Sequence, residues 1–323
     1  MRAESSVRLQ LHQVSAICAV YEQSKQVTMR ESLKKKIEYS IDLLRKSEKM
    51  AIRLDPENGF YLAFSGGKDS QALYHIAEMA GVKFKAHMNL TSVDPPEVIR
   101  FVKKQYPDVE LIKPKMSIYD MALKKHILPT MRLRWCCAEF KEMSGAGKVT
   151  LIGIRKEESA RRSKREEVST SIKGKRTEET FDQWNEHQEK MVTCVGGKDK
   201  ILVSPIIHWA ERDVWEFLND VVKVPHCKLY DEGYARIGCI LCPMSNRKSK
   251  LRDIERFPHA KRRWIQTIEK LKNAGYIYKN FDDAEFAFEW WISDKNYKEF
   301  YAEQVLQKKI EFSPSLPASV GRE

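Results

Sequence analysis

Phe60-Tyr61-Leu62-Ala63-Phe64-Ser65-Gly66-Gly67-Lys68-Asp69-Ser70 is the stretch on which the reading of this chain turns. Phe60–Phe64 makes a short buried strand, and a helical run, Gln71–Ala80, follows and is closed by Gly81. A strand that enters a helix through Ser-Gly-Gly makes an anion seat. The glycines let the backbone approach a ligand, and outward amide N–H groups and the helix N-terminus supply positive potential. Lys68 adds a mobile full charge, Ser65 and Ser70 add hydroxyls, and Asp69 is placed to orient Mg²⁺ or to cap the helix. The spacing is neither G-x-x-x-x-G-K-[ST] nor G-x-G-x-x-G, which excludes a Walker loop and a dinucleotide fingerprint. The bland alternative is a Gly-Gly turn with a surface lysine and a helix cap.

Working outward, residues 29–53 carry Leu33, Ile37, Ile41, Leu44 and Ala51 at helical spacing, and Asp55–Gly59 is a turn cluster. After the loop come a strand at Val82–Met88, a helix at Pro95–Tyr106 and strands at Val109–Ile112 and Val149–Ile154. Strands alternating with helices predict an α/β fold with a parallel sheet. Residues 155–200 are charged and poor in aliphatics, and are expected to form a mobile insertion or lid. Order resumes at Ser204–Ile207, followed by a helix over about 210–219, a cysteine-bearing loop and a helical tail. The expected organisation is an N-terminal helical extension (1–57), a nucleotide-binding α/β domain (58–222) and a smaller C-terminal cysteine-bearing helical region (223–323).

The chain has 323 residues, with 57 Lys plus Arg against 45 Asp plus Glu, a net charge of +12 that favours polyanionic partners. No apolar run approaches the roughly 18 residues of a membrane helix, and the N-terminus lacks the h-region of a secretory signal, so a cytoplasmic protein without a membrane partner is expected. Seven cysteines, four of them in close pairs, read as metal or cluster ligands rather than disulfides. Cys239-x-x-Cys242 places two thiolates on one turn, while the tandem Cys136-Cys137 is less usual for tetrahedral zinc. A 4Fe-4S cluster, zinc, and plain thiols or a redox disulfide all remain open on spacing alone. Cys18 and Cys194 read as bystanders on a helix face and a loop. Arg155, Arg161 and Arg162 follow a strand end, where guanidinium groups suit phosphate or sulfate.

Ser65–Ser70 resembles the SGGxDS pyrophosphate loop of the adenine nucleotide alpha-hydrolase-like (PP-loop) proteins, and further elements narrow the resemblance to the phosphoadenosine phosphosulfate (PAPS) reductase family. Gly153-Ile154-Arg155-Lys156-Glu157-Glu158-Ser159 with Arg162 is similar to its G-x-R-x-x-E-S-x-x-R stretch. Pro205–Trp209 with Asp213-Val214-Trp215, and Leu229–Tyr234 leading to Cys239, are similar to its later elements. The resemblance spans about residues 58–245. It implies nucleotide binding by Ser65, Gly66, Gly67, Lys68, Asp69, Ser70, Gly153, Arg155, Glu158 and Arg162. It also implies a 4Fe-4S ligand set of Cys136, Cys137, Cys239 and Cys242, as in the adenylylsulfate reductases of the family. Cys227 is a candidate substitute ligand or catalytic sulfur carrier.

The C-terminal Glu-Cys-Gly-[Ile/Leu]-His segment of the family's reductases is not matched, since no cysteine follows Cys242. The intact Lys68-Asp69 pair also fits an ATP pyrophosphatase better. The leading expectation is therefore an enzyme using ATP and Mg²⁺, with Lys68 and Asp69 as catalytic groups. It would adenylate an acceptor and transfer sulfur to it, as the DNA phosphorothioation sulfurtransferases and tRNA thiolases of the family do. The expected acceptor is nucleic acid and the expected sulfur donor a protein such as a cysteine desulfurase. Ten basic and three acidic residues between 243 and 275, with Trp264 for stacking, are the expected nucleic-acid surface. A sulfonucleotide reductase is the alternative, and a non-catalytic nucleic-acid-binding subunit the second alternative.

Overall fold

The computed structural model describes residues 29–142, 144–172, 175–187, 199–276, 278, 281–293 and 295–312. Elements run in the order α1 (Glu31–Leu54), β1 (Phe60–Ala63), α2 (Lys68–Ala80), β2 (Phe84–Asn89), α3 (Pro96–Gln105), β3 (Glu110–Ile112), α4 (Ile118–Lys125), β4 (Val149–Leu151), β5 (Val168–Ile172), β6 (Lys175–Glu179), α5 (Phe181–Asn185), β7 (Lys200–Val203), α6 (Glu211–Glu216), α7 (Arg247–Arg256), α8 (Pro258–Asn273), α9 (Ala284–Ile292) and α10 (Tyr297–Phe312). The chain divides into two units, one of residues 1–114 and 137–238, the other of 115–136 and 239–323.

The first unit is an α/β structure on a seven-stranded sheet of order β3-β2-β1-β4-β7-β5-β6. β3, β2, β1, β4 and β7 pair in parallel, with Leu62 opposite Ala86 on one side and Leu151 on the other. β1 (FYLA) reads as a continuous apolar run, as a central parallel strand buried on both faces does, while β2 (FKAHMN) and β4 (VTL) carry polar residues between apolar ones. The helix read at 29–53 is α1; Leu33, Ile37, Leu44 and Ala51 of its stripe are buried, and Ile41 packs at the core's edge.

The stretch 155–200, expected as a mobile insertion, supplies β5 and β6 to the sheet. β5 pairs antiparallel with β7 and with β6, and Thr170 faces Thr177 across the hairpin. Its alternation was obscured because β6 (KRTEE) is charged, as an edge strand tends to be. Gly174, Gly196, Gly197 and Cys194 lie outside the described residues, as does Cys18.

The second unit is helical. Ser117 caps α4 through the Asp120 amide, Asn246 caps α7 through Ser249, and Asp283 caps α9 through Phe286. Its core is aromatic, with Trp264 ring contacts to Tyr119 at 4.8 Å and Trp291 at 5.0 Å. Among the described residues no helix is long and apolar enough to cross a membrane.

Candidate functional site

In this sheet the chain leaves β1 toward β2 on one side and reaches β4 on the other, so β1 and β4 flank the topological switch point. Open α/β sheets bind ligands beyond the strand carboxyl ends at that point. Ser65–Ser70 follows β1 and Gly153–Arg155 follows β4, so both candidate segments meet in this crevice.

The loop is shaped by its glycines and tied by its serines. Gly66 has φ +72°, and a Cβ there would lie 2.7 Å from Val98 of α3, so only glycine fits the turn. A Cβ on Gly153 would lie 2.8 Å from the Asp69 carbonyl oxygen, which shows how closely the β4 exit lies on the first turn of α2. The Ser70 hydroxyl donates to the Gly67 carbonyl at 2.8 Å and accepts from the Ser65 amide at 3.2 Å, while the two hydroxyls lie 3.1 Å apart.

Lys68 is 4% exposed, which rules out the surface lysine of the bland reading. Its ammonium sits 3.2 Å from Asp69 and 3.4 Å from Glu211. Arg155 is 3% exposed, and its guanidinium donates to Asp69 at 2.6 Å and to Glu157 at 2.9 Å. Burial works to lower the Arg155 pKa, but the adjacent Asp69 carboxylate and its hydrogen bond outweigh this and raise it. Glu158 accepts the Arg155 amide at 2.9 Å and pairs with Arg162, so the two arginines are linked through it. Arg161 is exposed. Two buried cations and a helix N-terminus thus converge on one turn, held in place by Asp69, Glu157 and Glu211.

Three partners were missed as site residues in the sequence. The Tyr230 hydroxyl accepts the Lys68 amide at 2.8 Å, one of the N–H groups that opens α2. Burial raises the Tyr230 pKa, so the group there is a neutral phenol. Glu211 reaches Lys68, and Glu157 bonds both Arg155 and the Glu211 amide, at 2.6 Å for the latter. Glu211 lies 143 residues from Lys68 in sequence (211 − 68), and no local spacing signals the pairing.

Cys227 is 1% exposed inside the hydrophobic core, and burial raises its thiol pKa. Its carbonyl accepts the Tyr230 amide at 3.0 Å, forming the turn that carries Tyr230. Cys136, Cys239 and Cys242 belong to the second unit and Cys137 to the first; all four are half-buried thiols. Leu241, inside the CxxC, takes φ 56°, and its amide donates to the buried Asp253 carboxylate at 2.9 Å, so the CxxC turn is preformed. The donor chemistry suits a thiophilic centre, while among the described residues no three His, Cys, Asp or Glu side chains gather as a metal group.

Trp264, expected as a stacking platform, is 1% exposed and belongs to the aromatic core. Several basic residues of 247–272 also serve packing. Arg263 lies 4.6 Å over the Tyr119 ring, Lys261 pairs with Glu285, and Lys272 bonds the Asp282 carbonyl.

The phosphoadenosine phosphosulfate reductase domain family matches residues 59–245. An uncharacterized protein of Methanocaldococcus jannaschii is 30% identical over 233 residues, 71% of this chain and 50% of that protein. An adenosine 5'-phosphosulfate reductase of Oceanobacillus iheyensis is 26% identical over 155 residues, 45% of this chain and 54% of the relative. The chain spans about half the length of these curated relatives. Among solved structures, the U34-tRNA thiolase from Methanococcus maripaludis with its 4Fe-4S cluster aligns with 91% of this chain and 86% of its own, at 13% identity and a TM-score of 0.37.

Proposed function

Since the chain belongs to the phosphoadenosine phosphosulfate reductase domain family, we propose that it binds MgATP at Ser65–Ser70 and couples adenylation of a nucleic-acid acceptor to sulfur transfer. The observation that carries this reading is the buried Lys68–Asp69–Arg155 chain at the mouth of a glycine loop and a helix N-terminus. An acceptor oxygen attacks the α-phosphorus, the bond to the β-phosphate breaks, and pyrophosphate leaves. Lys68, Arg155 and the loop amides stabilise the charge that accumulates on the phosphates. Gly153 lets the β4 exit come close enough to bring Arg155 to the loop, and Glu158 orients Arg155 and Arg162. The terminal sulfur of a persulfide on a donor protein such as a cysteine desulfurase then attacks the adenylated centre, and AMP leaves with the acceptor oxygen. A dithiol reductant cleaves the resulting S–S bond, leaving sulfur on the acceptor and a thiol on the donor. Cys136, Cys137, Cys239 and Cys242 are the residues proposed to hold a 4Fe-4S cluster, which when bound supplies an iron site for sulfur.

Lys68→Met, which keeps the buried stem, and Asp69→Asn should each abolish ATP-dependent pyrophosphate release, with ATP binding weakened by about 1.5–3 kcal/mol. ATP binding by the double variant at wild-type strength in calorimetry rules out the loop as the nucleotide site.

The adenosine 5'-phosphosulfate reductase relatives favour a second reading, reduction of a sulfonucleotide. That reaction needs a nucleophilic thiolate. With the paired cysteines assigned as ligands, Cys227 is the described candidate, and its buried thiol with a raised pKa suits packing better than attack. Sulfite release from adenylylsulfate with thioredoxin, lost in Cys227→Ser, would make the reductase the correct reading.

A further inference from the structure

A cavity of about 340 Å³ opens within the second unit, at the small end of the range for ligand sites. Arg132, Lys250 and Lys295 line it together with Trp290, Trp291 and Asn296; no lining residue is acidic, and Lys295 pairs with Glu303 just outside the lining, a contact that a phosphate would have to replace. Lys250 is 2% exposed and forms part of the buried wall. The walls are fixed. Trp291 donates its indole N–H to the Pro129 carbonyl at 2.8 Å, and Arg132 projects from a turn closed by the Thr130–Leu133 hydrogen bonds at 2.9 and 3.1 Å. Trp290 packs against Phe281 and Tyr297, with ring centroids at 5.2 and 6.4 Å, so the indole that lines the cavity is held from behind.

Three cations and two indoles around one small cavity select a ligand with a strong anion and a flat π-system. A nucleotide unit has both. The surroundings favour a strand over a mononucleotide. Arg247 and Lys248 stand exposed on the first turn of α7, which also carries Lys250, and prolong the positive surface beyond the cavity. We propose that this cavity takes one nucleotide of a single-stranded nucleic acid, with the phosphate against Arg132, Lys250 and Lys295 and the base against Trp290. It builds on the nucleic-acid acceptor of the proposed function but lies in a different unit from the pyrophosphate loop.

The test is fluorescence anisotropy of a labelled single strand of about 12 nucleotides, as DNA and as RNA, measured without ATP and across a salt series. AMP and a duplex of the same sequence serve as competitors. Arg132→Gln and Lys295→Gln change partly exposed side chains and should each weaken binding about tenfold. Each should also reduce the slope of log K against log salt by about 0.7, the value for one phosphate contact on a single strand. Trp290→Leu should weaken binding at least about fivefold with the salt slope unchanged, and should remove the quenching of tryptophan emission by the strand. Lys250→Met should behave as Arg132→Gln. Wild-type affinity and slope in Arg132→Gln together with wild-type affinity in Trp290→Leu overturns the proposal. So does AMP or the duplex binding as tightly as the strand, or no strand binding by the native chain. Pyrophosphate release is scored separately. If it fails while these variants lose strand binding, the adenylation reading falls and the cavity assignment stands.

Discussion

Replacing Arg155 by methionine tests whether the loop is organised around an ion-paired seat. Methionine keeps the buried stem and removes a guanidinium that lies 2.6 Å from Asp69 and 2.9 Å from Glu157. Removing one partner of a fully buried pair costs about 3–5 kcal/mol. Here Asp69 keeps Lys68 at 3.2 Å and its side chain is 22% exposed, while that of Glu157 is 55% exposed, so water and the lysine compensate in part. The expected loss is therefore about 2–3 kcal/mol, or a Tm drop of roughly 4–12 °C for a unit of this size. Asp69→Asn breaks the same pair from the other side. Because the two side chains lie in direct contact, the double variant should be less destabilised than the sum of the two by about 1.5 kcal/mol. Urea denaturation of the four proteins, with midpoints compared at constant m, reads this coupling directly. Additive losses would refute the ion-paired seat. So would an Arg155→Met protein with both native stability and native ATP affinity.

Gly66→Ala should destabilise the loop by at least about 1 kcal/mol, because alanine at φ +72° is strained and its Cβ would meet Val98 at 2.7 Å; thermal denaturation and nucleotide calorimetry both report it. Burial works to raise the Glu167 pKa, but hydrogen bonds from His208 and Tyr39 bring it from 4.5 down to about 2. This depressed value contributes stability that is present above about pH 4.5 and is lost as pH falls toward 2, on the order of 3 kcal/mol, so Glu167→Gln should flatten the acid limb of a stability–pH curve. Protein purified without oxygen should carry about four irons per chain, and Cys239→Ala or Cys242→Ala should remove them; one tightly held zinc in their place would refute the cluster.

The loop and the strands beside it were legible because their signal is local. Phe60–Phe64, Gly66-Gly67 and Lys68–Ser70 lie in one run, and the strand–helix junction fixes where the anion seat must be. The identity of the lysine's neighbours was not legible, since Tyr230 and Glu211 reach Lys68 only through the crossover topology. β5 and β6 were missed for a different reason: at the sheet edge the polar face dominates the composition, and the hairpin owes its place to backbone pairing with β7. Trp264 was misjudged because a tryptophan amid arginines and lysines on α8 has the same sequence signature whether it faces solvent or core. Here the helix turns it toward Tyr119 and Trp291, and a different indole, Trp290, lines the cavity.

The ion pairs also bear on how a metal-bound nucleotide would be received. One Asp69 oxygen is engaged by Arg155 and the other by Lys68. A carboxylate so engaged has little left to offer a magnesium ion. On the proposed function a triphosphate would resolve this conflict, because its oxygens are better partners for both cations than a single carboxylate is. With Lys68 and Arg155 turned to the phosphates, Asp69 would be free to hold the accompanying metal. The desolvation of both buried cations is offset by Asp69, Glu157 and Glu211, so that on the proposed reading only their partners would change when the nucleotide binds. Asp69 thus holds Arg155 in place here and would face the metal of a bound MgATP. Asparagine at that position should therefore weaken MgATP binding more than it weakens binding of ATP without metal.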